Sequence, residues 1–295
     1  MDLKQLAYFA AIVEEGSISA AAKKLHISQP PLSHQLKLLE NELGQKLVER
    51  GARQVRLTDA GAILYRRAHS LLELADTTVR ELEDLAEKPN GTLRLGTTSS
   101  SGPALLGWRV TEYAKAYPGV RFEIREGNTF QLIDLLASGD IEVAVARTPF
   151  YAEKTNHIEL ESEPMIAAGN ARYFSGLPGE SVFLKDLAEK PLILYRRFEK
   201  MILAACKAAG FRPNVYCLND DARTSLMWAN AGLGIAIVPQ SMRSYADGVC
   251  RVIADANMTS RVVAIWRGDR YLSSAAKCFL EVFGEKDTKQ RSAAK

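Results

Sequence analysis

Cysteine is scarce in this 295-residue chain: Cys206, Cys217, Cys250 and Cys278 stand far apart, with no C-x-x-C pair. That spacing argues against a structural zinc site and gives no basis for a disulfide framework. Histidine is as sparse, and His26, His34, His69 and His157 show no ligand spacing such as H-E-x-x-H. No Ser-His-Asp or Cys-His order suggests an activated nucleophile. The glycine-rich piece Gly232-Leu233-Gly234 reads as a turn into a strand rather than a phosphate loop. The chain is therefore expected not to be an enzyme, with no catalytic residue, no metal and no cofactor. No apolar run is long enough to span a bilayer. Met1-Asp2-Leu3 leads directly into an amphipathic segment rather than a signal peptide. A cytoplasmic protein without a membrane partner is expected.

Net charge is also small, +3, too small to argue for a nucleic-acid partner by itself. Its distribution says more. Between Lys23 and Arg56 the bases Lys23, Lys24, Lys37, Lys46, Arg50, Arg53 and Arg56 outnumber Glu40, Glu42 and Glu49. A local basic excess is what a phosphate-facing module needs.

Within that region, Gly16 to Glu40 reads as two short helices joined by a tight turn at His26-Ile27. Ser17 can cap the first, accepting a free N–H of its opening turn. Ala20, Ala21, Ala22 and Leu25 keep that helix slim enough for close packing. Ser28 can cap the second, with Pro30 and Pro31 in its first turn, where N–H groups lack intrahelical partners. Leu32, Leu36 and Leu39 recur at helical spacing and predict a buried face. Gln29, Ser33, His34 and Lys37 fall on or beside the opposite face. A helix-turn-helix needs such a face on the helix whose N-terminal end enters the major groove. An ordinary helical hairpin with a solvated face is the alternative.

A first helix is predicted from Leu3 to Glu15, on Leu6, Phe9, Ala10 and Val13. Gln45 to Arg50 and Gln54 to Thr58 predict two strands of a hairpin wing. Arg50, Arg53 and Arg56 would stand on it near phosphates or the minor groove. The block AAKKLHISQPPLSHQLKLLENELGQKLVERGARQVRLTDAG, with Phe9 and GSIS before it, resembles LysR-type transcriptional regulators nearly throughout Leu3 to Gly61. The chain departs from the family where Val48 replaces a frequent Phe and His34 a frequent Arg. The resemblance implies DNA contacts from Ser17, Ser28, Gln29, Pro30, Ser33, His34, Lys37, Arg50 and Arg53. It also implies a double-stranded operator, a homodimer or homotetramer, and RNA polymerase as a further partner.

Asp59 to about Glu87 predicts one long helix, capped by Thr58. Its positions Leu64, Ala68, Leu71, Ala75, Thr78, Leu82 and Leu85 alternate four and three apart, the spacing of a coiled-coil seam. Lys88-Pro89-Asn90-Gly91 then breaks the helix. Beyond it strand and helix patterns alternate, predicting a mostly parallel α/β sheet with helices on both faces. GTLRLG, SGDIEVAVAR and AGLGIAIVP resemble the same family's effector domain, which implies a bilobed, periplasmic-binding-protein-like fold. The expected domains are a winged helix-turn-helix at 1–58, a linker helix at 59–88 and an effector domain at 89–295. Its first lobe would span about 90–162 and 267–285, its second about 163–266. The tail from Lys286 to Lys295 is polar and is expected to be disordered.

Ligands of open α/β sheets bind beyond the carboxyl ends of the strands. Thr98, Ser99, Ser100 and Ser101 lie there, as do Thr129 and Arg147; Arg196, Arg197 and Phe198 follow a strand in the second lobe. Hydroxyls at a helix start and a guanidinium suit an anion. Thr98, Ser99, Ser100, Ser101, Thr129, Arg147 and Phe198 are the candidate contacts for a small anionic effector. Helix caps are the alternative for the hydroxyls, and an interlobe salt bridge for Arg147. The alternatives are a redox-sensing regulator using Cys206 and Cys217 and, from another class, a solute-binding protein for transport or an enzyme.

Overall fold

The computed structural model describes residues 1–50, 55–84, 89–105, 108–177 and 179–285. Arg53, Lys88 and the tail from Lys286 lie outside them, and with them the expectations placed there. The chain divides into two compact units, Met1–Leu85 and Ala86–Lys295.

The first unit opens with α1 (Leu3–Glu14), started by a reciprocal cap: Asp2 accepts from the Gln5 N–H at 2.7 Å while Gln5 accepts from the Asp2 N–H at 3.1 Å. Helix α2 (Ile18–Lys24) starts at Ser17, whose hydroxyl accepts from Ala20 N–H at 3.1 Å. Helix α3 (Gln29–Leu43) carries its prolines in the first turn and ends at Gly44, in the left-handed region at φ 63°. Ser28 takes the extended N-cap conformation, but its side chain makes no capping bond; the two prolines at the helix start remove N–H groups it would otherwise receive. Strands β1 (Val48–Arg50) and β2 (Val55–Leu57) pair antiparallel, shorter than the sequence suggested. Helix α4 (Asp59–Glu83) follows its Thr58 cap. Phe9, Ile12, Ala21, Leu32, Leu36, Leu39 and Leu47 form the core of this unit, with Leu64 packed against it.

One buried acid ties these pieces together. Glu40 on α3 accepts from Leu47 N–H at 3.0 Å and from Lys46 Nζ at 2.7 Å. Burial by itself would raise its pKa, but Lys46 and the backbone N–H groups of Leu47 and Val48 outweigh burial, and the carboxyl lies below its ordinary value. From the other side, the Thr58 hydroxyl donates to the Lys46 carbonyl at 2.6 Å. Gly61 lets α4 approach the same segment: a Cβ there would stand 1.9 Å from the Leu47 carbonyl oxygen.

The second unit is a pair of lobes on one continuous sheet. Its elements are β3 (Gly91–Thr97), α5 (Gly102–Leu105), α6 (Trp108–Ala116), β4 (Val120–Glu126), α7 (Thr129–Ser138), β5 (Val143–Arg147), β6 (Thr155–Gly169), β7 (Ser181–Val182), β8 (Pro191–Tyr195), α8 (Glu199–Ala208), β9 (Asn214–Asn219), α9 (Ala222–Asn230), β10 (Ile235–Pro239), β11 (Val249–Ile253), β12 (Thr259–Arg267) and α10 (Ser274–Gly284). The strand order is β4-β3-β5-β12-β6-β10-β8-β9, with β11 also on β6 and β7 on β11. Pairing is mixed rather than mostly parallel, because β12 runs antiparallel to both β5 and β6, and β10 antiparallel to β6.

The sequence pattern did not foretell β6, and it changes the lobe boundary. Its first part pairs with β12 and its last part, Met165 to Gly169, with β10. The return to the first lobe comes at Thr259 to Arg261 rather than near Trp266, since Val262 to Trp266 already pair with β5. Tyr113, Phe279 and Phe283 fill one side of the first-lobe sheet, while Leu132 and Leu136 of α7 pack on the other. A separate core around Leu192, Ile193, Leu226, Ile235 and Ile237 belongs to the second lobe.

Candidate functional site

In the first unit, the face of α3 opposite Leu32, Leu36 and Leu39 carries Gln29, Pro30, His34 and Lys37 exposed to solvent, with Ser33 half-buried beside them. The helix thus presents amide, imidazole and ammonium groups from its first three turns, the donors and acceptors that base edges and phosphates engage. Ser17 spends its hydroxyl capping α2. Arg50 closes β1, and Arg53 lies outside the described residues. On α4, Ile63, Leu71, Leu74, Val79 and Leu82 are exposed, Leu74 at 63% and Leu82 at 64%. Leu71 and Leu82 continue the face on which Leu64 and Ala68, nearer the helix start, pack on their own unit.

In the second unit the predicted residues gather where the two lobes meet. After β3, the chain turns through Thr98 to Ser101, held by a hydroxyl pair between Thr98 and Ser101 at 2.8 Å. The Ser99 hydroxyl accepts from the Ala222 N–H at the start of α9, across the cleft, at 3.1 Å. Thr129 opens α7 behind the Asn128 cap, and its hydroxyl accepts from Arg197 Nη1 at 2.7 Å. At the rim Arg223 of the second lobe pairs with Glu126 of the first.

Arg147 ends β5 with none of its side chain in contact with water. Its Nη1 pairs with Glu163 Oε1 at 2.6 Å, and its Nε and Nη2 donate to the Ser100 carbonyl at 3.1 and 2.8 Å. Ser241 and Ser260 complete the set at 2.7 and 3.3 Å. Glu163 in turn accepts from the Ser241 N–H at 2.5 Å. The charge that the sequence reading reserved for an effector is thus met by an acid sixteen residues along the chain. This is the structural salt bridge that stood as the alternative. Burial pulls the Arg147 guanidinium below its ordinary pKa, and Glu163 opposes that pull. Phe198 likewise sits in the second-lobe core, edge-on to Tyr195 at 5.7 Å between centroids, rather than lining the cleft.

The side chain that sequence reasoning passed over is Arg197. It follows β8, reaches across to Thr129 and to the carbonyls of Arg147 and Pro149, and is half-buried, with its Nε shielded from water. Burial lowers its pKa, Tyr195 offsets this in part, and the nearby Arg147 lowers it further. Among the described residues no carboxylate pairs with it, and its Nε has no partner. The Ser100 hydroxyl is also buried without a partner among the described residues. The buried guanidinium of Arg147 and the half-buried one of Arg197 are therefore balanced, among the described residues, by one carboxylate. A buried, incompletely paired cation is costly unless an anion joins it. The signal in the sequence was the Arg196-Arg197 pair at a strand end, and spacing could not tell which of Arg196, Arg197 and Phe198 faces inward.

Cys206 is fully buried, and burial pushes its thiol up to about 11. Burial raises the Cys250 thiol too. At neutral pH such thiols are protonated and poorly nucleophilic.

Comparison with known proteins places the two units in one family. Residues 3–62 match the bacterial regulatory helix-turn-helix protein, lysR family, and residues 86–287 match the LysR substrate binding domain. The HTH-type transcriptional regulator BsdA of Bacillus subtilis (strain 168) is 34% identical over 295 residues, covering 96% of this chain and all of that protein. Among solved structures, CbnR, a LysR family transcriptional regulator, superposes with a TM-score of 0.74 at 26% identity, covering 97% of this chain and 100% of that one. Full-length CbnR complexed with its target DNA matches with a TM-score of 0.72 at 26% identity, over 96% of this chain and 98% of that one.

Proposed function

The chain belongs to the LysR family of transcriptional regulators, and from that premise we propose that a small monoanion in the interlobe cleft controls how it reads its operator. Arg197 carries this reading: it is a half-buried guanidinium with no carboxylate partner among the described residues and a shielded Nε that has no hydrogen-bond partner. An effector carboxylate would take that Nε, with the Ser100 hydroxyl as a second donor and Thr129 alongside. Arg147 then acts as the pivot that holds both lobes to Glu163 rather than as the anion's receptor. The effector makes its difference by favouring one lobe arrangement over another, with typical coupling of about 1–3 kcal/mol.

Operator contacts fall to Gln29, Ser33, His34 and Lys37 on α3, with Arg50 and Arg53 assigned to DNA phosphates, in a cytoplasmic protein that works with RNA polymerase. The exposed stripe of α4 supports a homodimer, or a homotetramer built from dimers, that reads two half-sites. A thiol-based sensor is the weaker reading, given the burial of Cys206.

A thermal-shift screen of the whole chain against monocarboxylates and dicarboxylates, followed by calorimetry, tests the cleft. Arg197→Gln should abolish binding of any carboxylate found, while operator affinity without ligand persists. Unchanged carboxylate affinity in Arg197→Gln would overturn the assignment.

A further inference from the structure

Helix α7 lies over β3, β5 and β12. Beyond it, on the same face of the first-lobe sheet, β6 presents His157 and Glu159, which register opposite Ile265 and Val263. The segment 148–155 loops over this uncovered part of the sheet. Between loop and strands lies a cavity of about 600 Å³, bordered by Pro149, Phe150, Tyr151, His157, Glu159 and Arg261. That volume is in the range of small-molecule pockets.

Its chemistry differs from that of the cleft. Among the described residues the cleft holds one cation more than its acids balance, whereas the cavity holds a matched pair. Glu159 accepts from Arg261 Nη1 at 2.8 Å, and His157 Nε2 stands 3.8 Å from the other carboxylate oxygen. Arg261 is 52% exposed and Glu159 34%, so water competes for both and the pair opens cheaply. Among the described residues the guanidinium of Arg261 makes no other hydrogen bond than this one. Its remaining N–H groups form a fork for a carboxylate. Phe150 stands edge-on to His157 at 5.6 Å between centroids, and Tyr151 leaves 81% of its surface in water. Together with Pro149 these rings offer an apolar wall beside the two charges.

We propose that this cavity is a second small-molecule site and that it takes a zwitterion, a free α-amino acid with an apolar or aromatic side chain. The ammonium replaces Arg261 at Glu159, the carboxylate enters the Arg261 fork, and the side chain lies on Phe150 and Tyr151. A simple acid or amine would separate Arg261 from Glu159 and give only one of them a new counter-charge. The site is independent of the cleft in its ligand but shares walls with it. Ser260 lines the cavity and contacts Arg147, and the Pro149 carbonyl accepts from Arg197. Occupancy therefore bears on the pivot from behind.

Calorimetry on the full chain tests this with L-phenylalanine and L-leucine, and with two analogues of the first: L-phenylalaninamide, which lacks the carboxylate, and 3-phenylpropanoate, which lacks the ammonium. At least one amino acid should give saturable binding, and for L-phenylalanine each analogue should bind about tenfold weaker or worse, since one of its two charge-assisted contacts is lost. Glu159→Gln and Arg261→Gln, both substitutions of exposed side chains, should each weaken amino-acid binding by a similar factor. Arg197→Gln should leave it unchanged, which separates this site from the effector cleft. Absence of saturable binding by either amino acid would overturn the proposal. So would binding that survives both cavity substitutions, or binding lost in Arg197→Gln.

Discussion

The two units solve opposite problems with their polar side chains. In the first, the groups with chemistry to offer, Gln29, His34 and Lys37, lie in water on a helix whose other face is packed in leucine. Among the described residues of this unit a single acid, Glu40, is drawn inside, and it serves to hold the hairpin. In the second unit the polar groups are inside and bound to one another: Arg147 to Glu163, Ser100 and Ser241, and Arg197 to Thr129. The contrast teaches where rigidity is stored. A DNA-reading face needs a stiff scaffold and free side chains. A cleft that changes shape needs side chains whose partners come from both lobes.

The strongest way to break this contrast is to remove a partner inside. Arg147→Met leaves the half-buried Glu163 carboxylate without its cation, a change that costs about 3 kcal/mol. Urea unfolding should show that loss for the second unit. If stability is unaltered, Arg147 is not the pivot described above.

Next in size is the assembly. Leu71→Asp with Leu82→Asp puts carboxylates on the exposed stripe of α4. Light scattering should report a smaller particle. Operator affinity should fall by about a hundredfold, because two linked half-site contacts become one. An intact particle would mean that the stripe is not the seam.

On the reading face, effects should be smaller and depend on sequence. Gln29→Ala and Ser33→Ala should each cost about 1–3 kcal/mol of discrimination between operator and random DNA in gel-shift titrations. Lys37→Ala should weaken binding to both alike and reduce the salt slope by about one. Equal losses on operator and random DNA for all three would reassign the face to phosphate contact.

The finest probe is acid. The Glu40 carboxyl is held below its ordinary value of 4.5. Because its folded pKa is depressed, its contribution to stability is complete above the unfolded value and fades as pH falls through the folded one. Melting of the first unit should therefore decline below about pH 4.5, and Glu40→Gln should flatten that decline. A decline of unchanged steepness in Glu40→Gln would mean that another group is responsible.

The same contrast decides what could be read from the sequence. Helix periodicity, caps and the prolines of α3 are local signals, so the first unit was legible almost element by element. The linker helix was legible too, although only the later part of its expected seam is exposed; Leu64 and Ala68 pack on their own unit. In the second unit most strands and helices were visible, but β6, β7 and β11 were not. Pro164 interrupts the β6 pattern, and that strand changes partners midway, so no single alternation of buried and exposed residues runs its length. Arg147 was found at the end of its strand, yet its partners lie at positions 100, 163, 241 and 260. No spacing rule connects residues brought together by the return of β12. For the same reason Phe198 was chosen where Arg197 reaches the cleft.

Strand β6 contributes backbone hydrogen bonds to both lobes along 15 unbroken residues. Neither lobe can therefore melt by itself without stripping partners from a strand that the other still needs. Segments that open independently exchange their amide protons early, whereas those shared by a whole structure exchange only on global unfolding. The amides of β6 that bond to β12 and those that bond to β10 should accordingly exchange at one common, slow rate. Cooperative unfolding of the two lobes follows from a single strand, even though each has its own hydrophobic core.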